Sequence, residues 1–246
     1  MQLTIINSNS KGNAYILHND EEALLIECGV NFKEIVRALN FNLKKVVGCL
    51  ITHEHQDHCK GVNDALDKGV NIYASYGTHA AMKTESHHRA RILHSQTLVT
   101  IGNFKILSYD VKHDAAQPLC FLIQHPETGT ILFLTDSYYC EYNFKGLNNI
   151  IIEANYCQSI LDSRLAAGAN PAFLRDRVIT SHMSLDTCKK TLQAYDLIAV
   201  NNIVLIHLSD SNSNARKFKS EVQQATGKVV TIAEAGLTMD FNKQAY

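Results

Sequence analysis

Three histidines and one aspartate lie close together in the first quarter of this chain. Residues 52–58 read Thr-His-Glu-His-Gln-Asp-His. Imidazole nitrogens and carboxylate oxygens are the usual protein ligands of divalent transition metals. A solvated polar turn is the simpler interpretation, but this density of ligand atoms favours a metal site.

The spacing within the heptad predicts two ions. His53 and His55 are two residues apart, so in an extended loop both rings can face one ion. Asp57 and His58 are adjacent and must diverge, which places them better for a second ion. A pair of divalent ions can lower the pKa of a water and hold an anionic phosphoryl or acyl oxygen. The pattern therefore predicts hydrolysis with two divalent ions, and these ligand types suit zinc, manganese and iron alike.

The heptad follows the apolar segment 46–51, which predicts a buried strand that delivers the ligands to its carboxyl end. Apolar runs between polar turns predict further strands near residues 3–6, 14–17, 23–26, 70–74, 97–101, 104–111, 119–124, 130–135, 149–153 and 202–207. Helical spacing predicts helices near residues 32–39, 62–66, 77–84, 157–167, 185–196 and 213–225. The sequence thus predicts an α/β fold with one domain over residues 1–246.

Composition excludes several classes of protein. The net charge of −1 gives no general attraction to nucleic acid or to anionic membranes, so any polyanion must be bound locally. The 7 cysteines form no Cys-x-x-Cys pair and suggest reduced thiols rather than a disulfide framework. No apolar run is long enough to span a membrane, and the amino terminus lacks a signal-peptide pattern. We therefore expect a soluble cytoplasmic protein without a membrane partner; the sequence leaves its oligomeric state open.

Three further residues follow predicted strands, where an α/β scaffold presents ligands. His113, Asp136 and His207 each come after an apolar run. Each of them alone is more typical of a structural residue. Together with the heptad they complete a set of seven, in which a carboxylate could bridge two ions.

These motifs, in this order, resemble those of the metallo-β-lactamase superfamily. The resemblance implies a four-layer αβ/βα sandwich with the site at the strand edges. It also implies a first ion held by His53, His55 and His113. The second ion would be held by Asp57, His58 and His207, with Asp136 as the bridge.

Three shorter segments are similar to the YycJ (WalJ) branch of that superfamily. They are residues 8–13, 112–116 and 205–209. The branch is associated with 5′-to-3′ exonuclease activity, so the resemblance implies a metal-dependent phosphodiesterase that acts on nucleic acid, with DNA favoured. Asp57 and Asp136 would help to hold or orient the attacking hydroxide.

His182 resembles a histidine of related nucleases that aids protonation of the leaving group. It precedes a predicted helix, whose unpaired amides favour a phosphate, and its imidazole can supply a proton. A purely structural role at the helix entry is the alternative. Ser209, Ser211 and Ser213 suit either phosphate contacts or turn and cap roles.

Departures from the family pattern narrow the substrate. Glu27 stands where relatives usually have an aspartate at the end of an early strand. The resemblance therefore leaves open whether this longer side chain supports the loop that carries the 52–58 heptad. The interval from His113 to Asp136 is too short for the arm of tRNA-processing relatives. The interval from Asp136 to His207 is too short for the cap domain of β-CASP nucleases.

Other interpretations remain open at the level of sequence. The same ions could hydrolyse a small thioester, lactone or β-lactam. Iron-dependent redox chemistry and a non-catalytic metal site are further alternatives. We expect Cys59 to be a packing thiol, and the basic residues His87, His88, Arg89 and Arg91 to form a solvated helix end rather than a guide for a nucleic-acid strand. The remaining histidines are expected to be structural or exposed: His18, His79, His94 and His125.

Overall fold

The structure is a computed structural model, and it describes residues 1–168 and 172–244. Within those residues, no helix combines the length and apolar character that a membrane span requires.

Seven strands form the first sheet. They are β1 (Gln2–Asn9), β2 (Gly12–His18), β3 (Ala23–Ile26), β4 (Val46–Leu50), β5 (Ile72–Ala74), β6 (Ala90–Ile92) and β14 (Thr238–Asp240). Their order in the sheet is β14-β1-β2-β3-β4-β5-β6. β14, β1, β2 and β3 pair in antiparallel fashion, whereas β3, β4, β5 and β6 are parallel.

The second sheet repeats this plan. Its strands are β7 (Leu98–Ile101), β8 (Phe104–Asp110), β9 (Leu119–His125), β10 (Gly129–Leu134), β11 (Leu147–Glu153), β12 (Asn202–Ile206) and β13 (Val230–Ile232). Their order is β13-β12-β11-β10-β9-β8-β7. β7 to β10 are antiparallel, and β10 to β13 are parallel.

Helices occupy the connections between strands. They are α1 (Phe32–Ala38), α2 (Gln56–Cys59), α3 (Val62–Asp67), α4 (Tyr76–Met82), α5 (Gln158–Ala166), α6 (Ala172–Ser181), α7 (Leu185–Ala194) and α8 (Ala215–Thr226), with a short 3-10 helix at Leu43–Lys45. Asn31, Ser75, Ser184 and Asn214 cap α1, α4, α7 and α8 through their side chains.

Alternate residues of the central strands face two different apolar layers. In β3, Ile26 packs between the two sheets, whereas Leu25 packs on the side of α1 and α3. In β10, Phe133 packs between the sheets, whereas Leu132 packs on the side of α7 and α8. Strands buried on both faces need such continuous apolar runs. The predicted four-layer αβ/βα sandwich is therefore confirmed.

The parallel strands carry their carboxyl ends to the same edge of each sheet. Ile26 of β3 lies beside Leu50 of β4. Leu134 of β10 lies beside Ile152 of β11, and Glu153 lies beside Ile206 of β12. The segments that follow these strands therefore meet at one end of the sandwich, where the candidate ligands lie.

Several elements differ from the sequence-based prediction. α2, β6, β13 and β14 were not predicted, since each has only three or four residues. α6 was also not predicted. Its sequence, Ala-Phe-Leu-Arg-Asp-Arg-Val-Ile-Thr-Ser, mixes apolar and charged residues without the regular apolar stripe of an amphipathic helix.

Candidate metal centre

The loop after β4 builds the first part of the candidate centre. Beyond Leu50 the chain has no regular structure up to His55, which is the N-cap residue of α2. The amide of His58 donates to the carbonyl of His55 over 2.8 Å. Successive helical residues point about 100° apart. α2 therefore makes Asp57 and His58 diverge, while His53 and His55 precede it in a non-helical segment.

Three imidazoles form the first group of candidate ligands. Nε2 of His53 lies 3.1 Å from Nδ1 of His55, and Nε2 of His113 lies 3.1 Å from the same Nδ1 atom. His53 and His55 come from the loop after β4, whereas His113 comes from the loop after β8. The two sheets thus each contribute to this group.

The second group combines two imidazoles with two carboxylates. Asp57, His58, Asp136 and His207 place one ligand atom each within a small space. Nε2 of His207 lies 3.2 Å from Oδ2 of Asp57, and Nε2 of His58 lies 3.4 Å from that oxygen. Asp57 and His58 of the heptad thus lie in one group with Asp136, which follows β10, and His207, which follows β12.

Asp136 connects the two groups. Its Oδ2 atom lies 3.0 Å from Nε2 of His58 in the second group. The same oxygen lies 3.4 Å from Nε2 of His53 and 3.8 Å from Nε2 of His113 in the first group. One carboxylate oxygen thus faces both sets of nitrogens.

Three strand ends reach the centre through left-handed backbone. The φ angles are 63° at Glu27 after β3, 46° at Asp136 after β10 and 53° at His207 after β12. Non-glycine residues adopt this region infrequently, and each such residue costs on the order of 1–3 kcal/mol. The surrounding fold thus holds this strain at the candidate centre.

Hydrogen bonds to the distal ring nitrogens orient the imidazoles. Nδ1 of His113 donates to the carbonyl of Ser181 over 2.7 Å, so the neutral ring presents a lone pair at Nε2. Nδ1 of His53 contacts the Thr52 hydroxyl over 2.9 Å. Burial lowers the pKa of both rings and favours their neutral form.

The donor atoms of the first group fit a metal ion. Tetrahedral zinc with Zn–N bonds of about 2.0–2.1 Å places its nitrogens roughly 3.3 Å apart, close to the spacing of the three rings. Nδ1 of His55 lies 3.1 Å from two Nε2 atoms, and one proton between nitrogens can satisfy at most one of these two contacts. A metal ion between the three nitrogens could accept a lone pair from each of them.

The second group attracts positive charge. Burial alone would lower the pKa of His207 and of His58, but the Asp136 carboxylate raises both well above the ordinary value. Burial would raise the pKa of Asp57, yet hydrogen bonds with His207 and His58 lower it well below the ordinary value. This balance fits a site in which a divalent cation supplies the charge.

A fully buried glutamate supports the second group from each sheet. Oε2 of Glu27 lies 3.5 Å from Nδ1 of His58, and Oε1 accepts from the amide of Thr52 over 3.3 Å. Oε1 of Glu153 lies 2.9 Å from Nδ1 of His207. A carboxylate behind a ligating histidine fixes its ring and raises its basicity. Glu27 thus contacts two residues of the 52–58 heptad, although its side chain is one methylene longer than the aspartate usual at this position.

His182 lies beside the second group, between α6 and α7. Its Nδ1 atom contacts Oε1 of Glu153 over 2.8 Å and lies 3.6 Å from Oδ1 of Asp136. Burial opposes protonation, but the charges of Glu153 and Asp136 raise the pKa of His182 to about 9. Glu153 therefore positions both His182 and His207.

Protein oxygens accept from three amides around the start of α7, where the position of His182 before this helix suggested a phosphate site. The amide of Met183 donates to Glu153, that of Leu185 donates to the carbonyl of Tyr156, and that of Thr187 donates to the Ser184 hydroxyl. Protein oxygens occupy these donors. The imidazole of His182 is what this segment offers to a substrate.

A cavity of about 510 Å³ opens over the centre. Candidate ligands and His182 line it, and Ser10, Ser209, Ser211, Asn155, Arg175 and Arg177 also contribute. Ser213 instead donates to the carbonyl of Ser209 over 2.7 Å, which is a turn role. The centre is therefore reachable from solvent on one side.

Residues outside the centre have structural surroundings. Burial raises the pKa of the Cys59 thiol to about 12, and the thiol donates to the carbonyl of Glu54, as suits a packing residue. His18, His79 and His125 contact Thr4, Thr84 and Glu22, respectively. The basic cluster His87, His88, Arg89 and Arg91 is not among the residues that line the cavity.

Several residues of this site were not predicted from the sequence. Glu153 follows the apolar run of β11, the same pattern that identified Asp136 and His207. Asn155 donates to the carbonyl of His207 over 2.9 Å and has no distinctive signal in the sequence. Glu54, between two candidate ligands, accepts from the amide of Ala116 over 2.8 Å and so joins the heptad to the His113 loop.

Comparisons with known proteins give matches over most of this chain. A model of the β-lactamase superfamily domain matches residues 23–208. The exodeoxyribonuclease YycJ of Bacillus anthracis is 27% identical over 241 residues, which covers 91% of this chain and 88% of the relative. The exodeoxyribonuclease WalJ of Streptococcus pneumoniae is 28% identical over 255 residues, which covers 97% of this chain and 91% of the relative.

A solved structure shares the fold. The metallo-β-lactamase fold protein YhfI of Bacillus subtilis superimposes with a TM-score of 0.75 at 15% sequence identity, covering 97% of this chain and 99% of that protein.

Proposed function

This chain belongs to the β-lactamase superfamily, and we propose from that premise that it is a metal-dependent exonuclease that hydrolyses phosphodiester bonds of DNA. The position of Asp136 carries the proposal. Its Oδ2 atom lies 3.0 Å from His58 and 3.4 Å from His53, so one oxygen serves two groups of ligands beneath an open cavity. The choice of DNA rests on the similarity to the two exodeoxyribonucleases.

We assign two divalent ions to the centre. His53, His55 and His113 would hold the first, whereas Asp57, His58 and His207 would hold the second, with Asp136 between them. Such a pair, when bound, lowers the pKa of water and stabilises charge on phosphoryl oxygens. Imidazole and carboxylate ligands suit zinc, manganese or iron.

The protein supplies orientation and proton transfer. Asp57 is half-buried at the cavity and lies 3.2 Å from His207, so its carboxylate can accept a hydrogen bond from the attacking water. Glu153 binds Nδ1 of His182, which leaves Nε2 to donate a proton to the departing oxygen. His182 and Asp57 are thus the proposed catalytic residues, and Glu153 positions His182.

The cavity favours an anionic substrate over a neutral one. Arg175 and Arg177 line it. Guanidinium groups bind phosphate oxygens well. A nucleic-acid strand carries phosphates beyond the scissile bond that these groups can contact, whereas a small thioester, lactone or β-lactam does not, so the phosphodiester of a strand is the better match.

The test is cleavage of end-labelled single-stranded DNA by the purified protein with Mn²⁺ or Zn²⁺. Wild type should release labelled mononucleotides from a 5′ label first, and Asp57→Ala should release none. Asp64→Ala, which removes an exposed carboxylate on α3, should cleave like wild type. Absence of cleavage by wild type with either ion, or equal cleavage by Asp57→Ala, would overturn the proposal.

We also propose a cytoplasmic location. Its support is that all seven cysteines are free, which is typical of proteins in a reducing compartment. Cell fractionation with a tagged chain tests this, and recovery outside the cytoplasmic fraction would contradict it.

A further inference from the structure

Helices α5 and α6 form a wall of the cavity that the reaction itself does not require. Leu161 of α5 lines this wall, together with Arg175, Arg177 and Val178 of α6. We propose that Arg175 and Arg177 bind the phosphate next to the scissile one, so that the enzyme recognises two consecutive phosphates of a strand. This inference rests on the proposed function.

The distribution of charge around the cavity supports this assignment. Among the described residues that line the cavity outside the candidate centre, only Arg175 and Arg177 are charged, and both are positive. The remaining lining residues outside the centre include the neutral hydroxyl and amide groups of Ser10, Ser209, Ser211 and Asn212. The two guanidinium groups therefore mark one path along which a second phosphate can leave the centre.

Carboxylates outside the cavity lining hold the two guanidinium groups in place. Nε of Arg177 lies 3.2 Å from Asp114, and Asp114 lies 3.4 Å from Nδ1 of His113. Asp114 thus contacts both Arg177 and the candidate ligand His113. Nε of Arg175 lies 3.2 Å from Asp162 of α5, and its Nη1 atom lies 3.0 Å from Asp176. These contacts restrict both side chains before a substrate arrives.

Each arginine keeps the capacity to bind a phosphate. A guanidinium has five N–H donors. Within the described residues, the ion pairs engage only Nε of Arg177, and Nε and Nη1 of Arg175. The side chain of Arg177 is 63% exposed and that of Arg175 is 30% exposed, so solvent and substrate can reach both. Exposed ion pairs add little stability, so removing them should not unfold the protein.

The size of the cavity agrees with a strand end. A volume of about 510 Å³ is in the range of pockets that hold one small organic ligand, roughly a nucleotide unit. The phosphate of the scissile bond would lie over the centre. The next phosphate along the strand can then contact Arg175 and Arg177 on the α5–α6 wall.

The experiment compares two substrates that differ in the second phosphate. Bis(p-nitrophenyl) phosphate has one phosphate, whereas a ten-residue oligothymidylate has a chain of them. The variant Arg175→Ala/Arg177→Ala should hydrolyse the small diester within about twofold of wild type. For the oligonucleotide its KM should rise about tenfold or more, with kcat within about threefold. The slope of log KM against log salt should fall by about one to two, because each lost phosphate contact removes roughly 0.7 to 1 from it.

Two further variants complete the design. Arg37→Ala removes an exposed arginine from α1, remote from the cavity, and should match wild type on both substrates. Arg175→Lys/Arg177→Lys keeps the charge and should restore most of the salt dependence.

An unchanged KM and salt slope for the oligonucleotide would overturn the inference. So would an equal loss on both substrates, which would mean that the arginines support the centre itself. Failure of wild type on both substrates would instead refute the proposed function.

Discussion

The two halves of the molecule share a strand plan but contribute to the candidate centre differently. The first sheet supplies four of the seven candidate ligands from one loop after β4. The second sheet supplies one ligand after each of three strands, namely His113, Asp136 and His207. A compact loop keeps its ligands together whatever its neighbours do. Ligands on three strand ends depend on the register of β8, β10 and β12, and so on the whole sheet.

The two buried glutamates, Glu27 and Glu153, also differ in how closely they contact histidines. Glu27 in the first half has its histidine contact at 3.5 Å. Glu153 in the second half contacts His182 at 2.8 Å, His207 at 2.9 Å and the amide of Met183 at 2.9 Å. His207 in the second half therefore has a closer carboxylate partner than His58 in the first half.

The largest effect is expected at Asp136, the one residue that faces both groups. Asp136→Ala should reduce DNA cleavage to background and should lower the metal content, because one shared oxygen disappears from both sites. Asp110→Ala, at the exposed end of β8, is the matched control and should keep full activity. Retention of more than a tenth of the wild-type activity by the Asp136 variant would contradict a shared role.

The next effect concerns the packing of the heptad loop. A Cβ atom at Gly29 would overlap the carbonyl oxygen of Asp57, so Gly29→Ala must displace that loop. We expect a loss of about 1–3 kcal/mol in the free energy of unfolding and roughly 100-fold in kcat. Urea unfolding and steady-state kinetics measure both quantities.

Gly146→Ala is the comparison in the second half. Gly146 has a φ of 68°, and among the described residues beyond Gly146 and its two chain neighbours no atom lies within 4 Å of the position that a Cβ atom would take there. The substitution should therefore cost only about 1–2 kcal/mol of backbone strain and leave kcat unchanged. Equal kcat values for the two alanine variants would show that the loop tolerates movement.

The smallest effects distinguish the two glutamates. Glu153→Gln should lower kcat about 10- to 100-fold, because it weakens the orientation of His182 and His207 together. Glu27→Gln should lower kcat less than about 10-fold, since its histidine contact is longer. Thermal unfolding of both variants controls for stability. A larger loss for Glu27→Gln would reverse the proposed ranking.

The sequence was most informative where ligands are close together along the chain. The heptad alone predicted His53, His55, Asp57 and His58 as neighbours of one centre. His113, Asp136 and His207 required the expectation that strand ends meet at one edge of a sheet, together with the family resemblance. Asp136 and His207 lie at that edge because β10, β11 and β12 are parallel and in register, whereas His113 reaches it from the end of the antiparallel strand β8.

Other features depended on tertiary structure. Glu153 is the last residue of β11, but its role arises from contacts with His182 and His207 that only the fold creates. Arg175 and Arg177 lie on α6, whose sequence lacks the apolar stripe from which helices are predicted. The start of α7 looked like an anion site, yet the amide of Leu185, its first residue, donates to the carbonyl of Tyr156.

The most direct test of the central claim is the number of ions bound per chain, measured by mass spectrometry of the metal-loaded protein after removal of free metal. The account predicts two divalent ions in wild type. It predicts about one in Asp57→Ala, because the three imidazoles of His53, His55 and His113 remain. A wild type that binds at most one ion, or an Asp57→Ala variant that still binds two, would contradict it.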